Sequence, residues 1–301
     1  MDLQQLCVDM TAIAKAVGEI ILNARPNAGS TSIKKNTADI VTETDQAVEA
    51  HIRQRLLGQY PSFEFIGEES FKSGSEITDQ PTFIVDPIDG TSNFVHGFPA
   101  VCVSIGLVVN KSPTVGVVYN PFTDELWTAI KGQGAFTSRN GGVRQRLPLT
   151  SSSLNLSSAC IGIEWGSDRE GPAFELNLHV FTTLARTERT GGRFVNSLRC
   201  TGSAAITICR VAAGQQDAFW ECGSWAWDVA AAWCILVEAG GVMVDGHPTG
   251  NWHPPVDNRR YLAVRPASEG QEQFVREFWD VVRSGMKPPS DMKLVSDGVL
   301  A

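Results

Sequence analysis

The sequence predicts a layered α/β protein in which helices cover sheets. Three observations predict it. Segments with apolar residues at three- and four-residue spacing read as amphipathic helices, above all "LCVDMTAIAKAVGEIIL" at 6–22. Between residues 101 and 129 three β-rich runs follow one another, split only by short polar breaks. In the second half, strand-like and helix-like segments alternate.

The elements follow in order. "RPNAGS" breaks the first helix, and a second starts near Thr42 as "TETDQAVEAHIRQRLL", with Val48, Ile52 and Leu56 on one face. "YPSFEFIGEES" is a short strand running into an acidic loop, and "TFIV" at 82–85 is another strand. "VCVSIGLVVN", "PTVGVVYN" and "DELWTAI" read as sequential antiparallel strands separated by "NKSP" and "NPFTD". The turn "SRNGGVRQ" ends this half, and the Ser/Thr-rich "LTSSSLNLSS" is the candidate linker. "ACIGIEW" is a strand, 174–187 a helix, and "TGSAAITICRVAAG" a helix opened by a glycine turn. A strand "QDAFWE", a helix "WDVAAAWCILVEAG", a strand "RRYLAVR" and a last helix "QEQFVREFWDVVRSG" complete the pattern. A single domain is expected over 1–285, with halves at about 1–147 and 148–285, and a flexible tail at 286–301.

With 301 residues, 43% of them hydrophobic, the chain can bury a sizeable core. Its net charge of −8 argues against nonspecific binding to nucleic acid. An acidic surface also repels anionic substrates, so a phosphate site must bring its own positive charge. The seven cysteines are scattered, odd in number and lack a Cys-x-x-Cys pair, which fits free thiols in a reducing compartment. Neither a secretory signal nor an apolar run long enough to span a bilayer is visible, so a cytoplasmic protein with no membrane partner is expected.

One stretch concentrates the chemistry: "VDPIDGTSNF" at 85–94. Asp86 comes off an apolar strand, Pro87 fixes the chain direction, Gly90 allows a turn, and Thr91 and Ser92 can open a helix as caps. A helix start points free N–H groups at an anion. Two carboxylates this close repel unless they share a proton or a cation. A hard divalent cation such as Mg²⁺ takes oxygen ligands and substrate phosphate together. Alone, Asp89-Gly90 would be an ordinary turn. Two further acidic places shift the balance. Glu68 and Glu69 in "FIGEES" follow another apolar run, where a solvated loop is the plainer explanation. Asp228 opens an otherwise apolar helix between Trp227 and Val229, where the helix dipole alone could favour it. Asp45 could equally complete a helix capping box with Thr42.

At this point "GEES", "VDPIDGTSNFVHGFP" and "WDVAAAWCILVEAGG" resemble the three acidic motifs of the inositol monophosphatase family, in the same order and at similar spacing. "KKNTADIVTETDQAVE" resembles that family's N-terminal motif, and the likeness runs from about Leu6 to Val282. The resemblance implies an αβαβα five-layer sandwich, a homodimer, lithium sensitivity and two or three Mg²⁺ ions per site. By it, Glu68, Asp86 and the Ile88 carbonyl oxygen hold a first Mg²⁺, and Asp86, Asp89 and Asp228 a second. Asp45 and Thr91 orient the attacking water, with Glu68 helping to activate it.

The resemblance further implies substrate contacts from Asp89, Gly90, Thr91, Asp228, Gly202, Ser203 and Ala204; Gly202 and Ser203 stand at a helix start with N–H groups expected to be free, unless they are only a glycine turn and a serine cap. Glu221, at a strand end, would meet hydroxyls of the alcohol, unless it is only a solvated carboxylate. His96 is expected to cap or pack near its turn rather than act as a base. The chain departs from the family at Ser92 and Ser203, where threonine is commoner, and at Trp225, Trp227, Ala232 and Trp233, which are bulkier than usual.

The implied activity is hydrolysis of inositol monophosphate or a similar small phosphorylated polyol. Three rivals compete. A haloacid-dehalogenase-like phosphatase would space its two aspartates two apart rather than three. A sister branch would act on histidinol phosphate, sugar bisphosphates or nucleotide bisphosphates. A silent Mg²⁺- or phosphate-binding protein would be expected to have lost at least one of the ligand carboxylates, and all are present.

Overall fold

The computed structural model describes residues 1–24, 31–33 and 40–286. The expected tail therefore lies outside the described residues except for Met286, as does all of "KKNTAD". The chain opens with α1 (Leu3–Asn23), whose start is capped by the Asp2 carboxylate accepting the N–H groups of Gln4 and Gln5. A short hairpin follows, β1 (Thr31–Ile33) with β2 (Ile40–Thr42), leading into α2 (Glu43–Gln59). Then come β3 (Glu64–Gly67), β4 (Thr82–Asp89), a short α3 (Thr91–His96), β5 (Cys102–Val109), β6 (Ser112–Asn120), β7 (Glu125–Ile130), β8 (Gly134–Arg139) and β9 (Gln145–Arg146). Strands β3 to β9 form one seven-stranded sheet in sequence order, antiparallel except for the parallel β3–β4 pair.

The second sheet is built from β10 (Cys160–Ile163), β11 (Ser197–Arg199), β12 (Ala218–Cys222), β13 (Val242–Asp245) and β14 (Arg260–Val264), in the order β11-β10-β12-β14-β13. Its helices are α4 (Gly171–Ala185), α5 (Ala204–Ala212), α6 (Ala226–Glu238) and α7 (Gln271–Gly285).

Three cores stack these elements. Leu6, Met10, Ile13 and Val17 of α1 and Val48, Ile52 and Leu56 of α2 pack on Phe83, Val85 and Val117 of the first sheet. The other face of that sheet, through Ile84, Val118 and Trp127, meets α5 and α6, which also lie on Phe219, Tyr261 and Ala263 of the second sheet. The far face of the second sheet, through Ile161, Trp220 and Leu262, is covered by α4 and α7. Tyr261 and Ala263 face one core and Leu262 and Val264 the other, the period-two alternation of a strand buried on both sides. The result is the expected five-layer α-β-α-β-α sandwich.

The central layer depends on small residues. Helix α6 presents Ala230 and Ala231 to the sheet, which answers with Gly106 and Gly116. A Cβ at Gly116 would stand 2.1 Å from the Ala231 carbonyl oxygen, and one at Gly106 would stand 3.0 Å from the Ala231 nitrogen. The bulky Trp233 is accommodated on the other side of α6, edge-on to Tyr261. Six short strands, β1, β2, β8, β9, β11 and β13, were not legible in the sequence.

Gly116→Ala is expected to push α6 off the sheet and to cost about 1–3 kcal/mol, the usual range for overpacking. A denaturant melt of the variant beside the parent protein checks this.

Candidate active site

The site starts from strand register. Strands β3 and β4 pair in parallel from Glu64 opposite Thr82 to Gly67 opposite Val85, and the Glu68 N–H still donates to the Val85 carbonyl oxygen at 3.1 Å. Glu68 therefore leaves β3 beside Asp86. The strand "TFIV" does not end at Val85 as the sequence suggested; it runs on to Asp89. On the β5 side, Asp86 faces Ser104 and Asp89 faces Cys102, three steps against two. That one-residue bulge decides the chemistry. On a regular strand, residues three apart point to opposite faces. The extra residue returns Asp89 to the Asp86 face and leaves Ile88 in the opposite core with Phe83 and Val85.

Gly90 then occupies the cap position of α3 at φ 93°, and Thr91 and Ser92 are its first helical residues rather than its caps. A Cβ at Gly90 would stand 2.6 Å from the Ala100 carbonyl oxygen, so only glycine lets the chain turn here. Thr91 Oγ1 lies 3.1 Å from Asp45 Oδ1 and 3.1 Å from the Ile88 carbonyl oxygen. Its single proton serves one of them at a time, which leaves its lone pairs available. Asp45 is buried in the first turn of α2. The side chain of Thr42, its possible capping partner, is outside the described residues. His96 is exposed, and its Nδ1 lies 2.8 Å from the Ser92 carbonyl oxygen, as expected of a residue that packs at the turn.

Helix α6 brings the fifth carboxylate. Asp228 sits in its first turn, where Oδ2 accepts the Trp225 N–H at 2.6 Å, while Ser104 Oγ donates to the Trp227 carbonyl oxygen across the layer at 3.3 Å. The helix-start reading of Asp228 thus holds, together with the convergence on Asp86.

The electrostatics join these segments. Asp86, 2% exposed, has its pKa raised well above the ordinary value, first by burial and then by the charges of Glu68, Asp89, Asp228 and Asp45. Asp228 is pushed up to about 8 by burial and by Glu68 and Asp89, and a side-chain hydrogen bond with Asp86 and the Trp225 N–H offset part of this. Asp89 is raised by burial and pulled back by its donors. Asp86 thus feels the charges of four other acidic side chains, and the five come from four separate segments.

On the other side stands the start of α5. Ser203 Oγ donates to Asp89 Oδ2 at 2.6 Å and accepts the Ile206 N–H at 3.2 Å, and the Ala205 N–H donates to the same Asp89 oxygen at 2.8 Å. Ala204 adds a backbone contact to Asp89. The Gly202 N–H is taken as well, by Glu164 Oε1 at 2.9 Å. The expectation of free N–H groups is therefore corrected at Gly202, whose N–H Glu164 occupies, and Ser203 serves as the cap of α5. Glu164 drew no notice in the sequence, where it is a lone acid at the end of "ACIGIE"; only its place just after a strand could have marked it. Glu221, at the end of β12, has its pKa raised well above the usual range, chiefly by burial and then by Asp228, Glu164 and Asp89. Its Oε2 is buried without a hydrogen-bond partner, as an acceptor awaiting a hydroxyl would be.

The bulky residues around Asp228 form a cluster. Trp225 stacks on Trp227 at 5.1 Å, and Phe71, three residues beyond Glu68, packs against both. The Arg259 guanidinium lies 3.5 Å from the Trp225 ring centroid, and its Nε and Nη2 donate to the Gly223 carbonyl oxygen. Trp225 stays 39% exposed. An aromatic wall thus joins the Glu68 loop to the start of α6.

Among the described residues, no group of three or more His, Cys, Asp or Glu side chains stands arranged to hold a metal ion. Asp86 Oδ1 accepts the Ile88 N–H, and Asp89 Oδ2 and Asp228 Oδ2 are also turned to protein donors. The donor chemistry nonetheless fits a hard divalent cation. It is all oxygen, buried and crowded with like charge, and a cation would relieve the repulsion that raises these pKa values.

The comparisons are specific. Residues 2–283 match the model of the inositol monophosphatase family. The chain is 46% identical to inositol monophosphatase 2 of Saccharomyces cerevisiae over 263 residues, which covers 85% of this chain and 87% of that one. It is 40% identical to inositol monophosphatase 1 of the same yeast, over 94% of this chain and 99% of the other. The solved inositol monophosphatase of Anabaena (Nostoc) sp. PCC 7120 superposes with a TM-score of 0.73 at 29% identity, covering 96% of this chain and 99% of that one. The chain belongs to the inositol monophosphatase family, whose members are metal-dependent phosphoric monoester hydrolases. Among the described residues, no helix is long and apolar enough to cross a membrane.

The raised carboxylates give a pH dependence of stability with a definite sign. Each is favoured neutral in the fold, so its contribution is whole below its unfolded pKa and is lost as pH rises through the folded one. For Asp228 that window runs from the ordinary 3.8 to about 8. In chelator, the melting temperature is expected to be lower at pH 8 than at pH 5, as thermal melts at the two pH values would read.

Proposed function

We propose that this chain hydrolyses inositol monophosphate, or a closely similar polyol monophosphate, in a Mg²⁺-dependent reaction that releases inorganic phosphate. One observation carries this reading: Asp86, 2% exposed, feels the charges of Glu68, Asp89, Asp228 and Asp45 at once. Such a concentration of negative charge would expel a phosphate unless cations stood between them. Glu68, Asp86 and the Ile88 carbonyl oxygen would hold one Mg²⁺, and Asp86, Asp89 and Asp228 another. When bound, these ions supply positive charge to the phosphoryl oxygens and lower the pKa of the attacking water. Two or three ions per site, a homodimer and a cytoplasmic location are carried over from the family resemblance and the sequence.

The remaining work falls to the protein's own side chains. Asp45 accepts a hydrogen bond from the Thr91 hydroxyl and so turns the Thr91 lone pairs toward a water. The water hydrogen-bonds to Thr91 Oγ1 through one proton and is aimed at phosphorus, while Glu68 accepts the other proton as the bond to phosphorus forms. Gly90 and Thr91 bring backbone close to the phosphate. The phosphorus–alcohol bond breaks with its electron pair passing to the alcohol oxygen, which takes a proton from solvent, and Glu68 returns its proton to solvent. Ser203, Ala204 and Glu221 meet the alcohol, and Gly202 contributes the turn that places them.

The test is phosphate release across a Mg²⁺ titration, with inositol, sugar and histidinol phosphates and adenosine bisphosphate as substrates. Inositol monophosphate is expected to give the highest kcat/KM, and chelator no turnover. Asp86→Asn and Asp228→Asn are each expected to lose at least about 100-fold in kcat with an unchanged circular dichroism spectrum, since the charge stabilisation removed is several kcal/mol. Full activity in chelator, or in either variant, would contradict the assignment.

A further inference from the structure

Glu164 lies just past β10 and outside every acidic motif of the sequence. Its carboxylate is largely buried, and that burial raises its pKa. Oε1 accepts the Thr201 N–H at 2.7 Å, the Gly202 N–H at 2.9 Å and the Thr201 hydroxyl at 3.2 Å. Asn93, in α3 of the other half, holds the same segment from behind: its Nδ2 donates to the Thr201 carbonyl oxygen at 2.8 Å. Gly202 takes φ 75°, and a Cβ there would stand 2.9 Å from Asn93 Nδ2. Thr201 and Gly202 are thus clamped between a carboxylate of the second sheet and a carboxamide of the first. Directly after the clamp, Ser203 and Ala205 give their protons to Asp89. Where α5 starts relative to Asp89 follows from where residues 201 and 202 are held.

We propose that Glu164 is the positioning residue of the alcohol-binding loop. By fixing Thr201 and Gly202 it sets where Ser203 and Ala204 meet the hydroxyl-bearing half of the substrate, and it does so without touching substrate itself. The inference rests on the polyol-phosphatase reading above. Its energetic signature is specific: the loop reads the alcohol and leaves the phosphoryl group to the cations that the acidic side chains would hold. Loss of the clamp should therefore weaken binding of a polyol phosphate and spare a substrate whose leaving group carries no hydroxyls.

Two variants separate reach from charge. Glu164→Asp keeps the charge but withdraws the acceptor by one methylene, beyond both amides. Glu164→Gln is isosteric, folds on the same grounds as the parent and keeps an acceptor oxygen. Glu164→Asp is expected to raise KM for inositol monophosphate about tenfold, equivalent to about 1.4 kcal/mol. Its kcat should stay within about threefold, and its KM for p-nitrophenyl phosphate should be unchanged. Glu164→Gln should stay within about threefold of the parent on both substrates. Hydrogen exchange of the 197–206 segment in the free protein gives an arm independent of activity: Thr201 and Gly202 amides should exchange faster in Glu164→Asp and at the parental rate in Glu164→Gln.

Unchanged exchange and KM in Glu164→Asp overturn the proposal. So does an equal loss of kcat on both substrates in both variants, which would mark Glu164 as part of the general framework. If the parent protein released phosphate from none of the substrates, the functional reading would fall, while the exchange arm would still decide whether Glu164 holds the loop.

Discussion

The structure is organised around negative charge enclosed with negative charge. Asp86 is sealed on all sides and feels four other carboxylates. No folding force favours that arrangement, because each buried like charge works against stability by several kcal/mol unless it is neutralised. The backbone must therefore impose it. Parallel pairing of β3 with β4 sets Glu68 beside Asp86, and a single bulge turns Asp89 to the same face. Helix α6 delivers Asp228 because glycines on two neighbouring strands let its backbone lie directly on the sheet. None of these placements depends on a long, mobile side chain. Strands and a packed helix hold the acids, as a site that must keep repelling groups together requires.

Asp89 carries a second duty that couples the two halves. It belongs to the first sheet, yet one of its oxygens accepts Ser203 Oγ and the Ala205 N–H from the start of α5. Cys102 Sγ lies 3.6 Å from the same oxygen. These donors stabilise the charged form and partly offset burial. The first half supplies most of the buried negative charge, and Glu221 and the α5 start come from the second half. One residue, Asp89, bonds across the two, so the acids of the first half and the start of α5 are held at a fixed separation.

Much of this was legible in the residues. The α1 and α2 faces, the run of antiparallel strands and the α7 boundaries follow from periodicity alone, because a core must be buried on one side of each element. The acids could be recognised from their company: Asp86 after an apolar run, Asp228 between a tryptophan and a valine. The bulge was not legible, because Pro87 and two aspartates look like the end of a strand. In fact the strand continues, with its side chains still buried through Asp89. Strands β1, β2, β8, β9, β11 and β13 were missed for another reason. Each is short and gains its identity from a neighbour's hydrogen bonds rather than from its own pattern. Glu164 escaped because its role is fixed by residues 201 and 202, almost forty positions away, and no local spacing records such a pairing.

The aromatic residues beside Asp228 show how a family site acquires an individual character. Trp225 and Trp227 stand on either side of Ala226 at the start of α6, and they stack on one another with Phe71 against both. Phe71 follows Glu68 on its loop, so the cluster ties together two of the segments that carry acids. Arg259 lies on Trp225 and holds the Gly223 and Ser224 carbonyl oxygens, bracing the short connection between Glu221 and Asp228. It also brings positive charge close to both of those carboxylates. Apolar rings cannot neutralise the acids, but they exclude water from one side of the site, and excluded water strengthens every remaining electrostatic interaction there. The wall and the guanidinium therefore act together: the rings lower the local polarity, and the cation limits the cost of doing so.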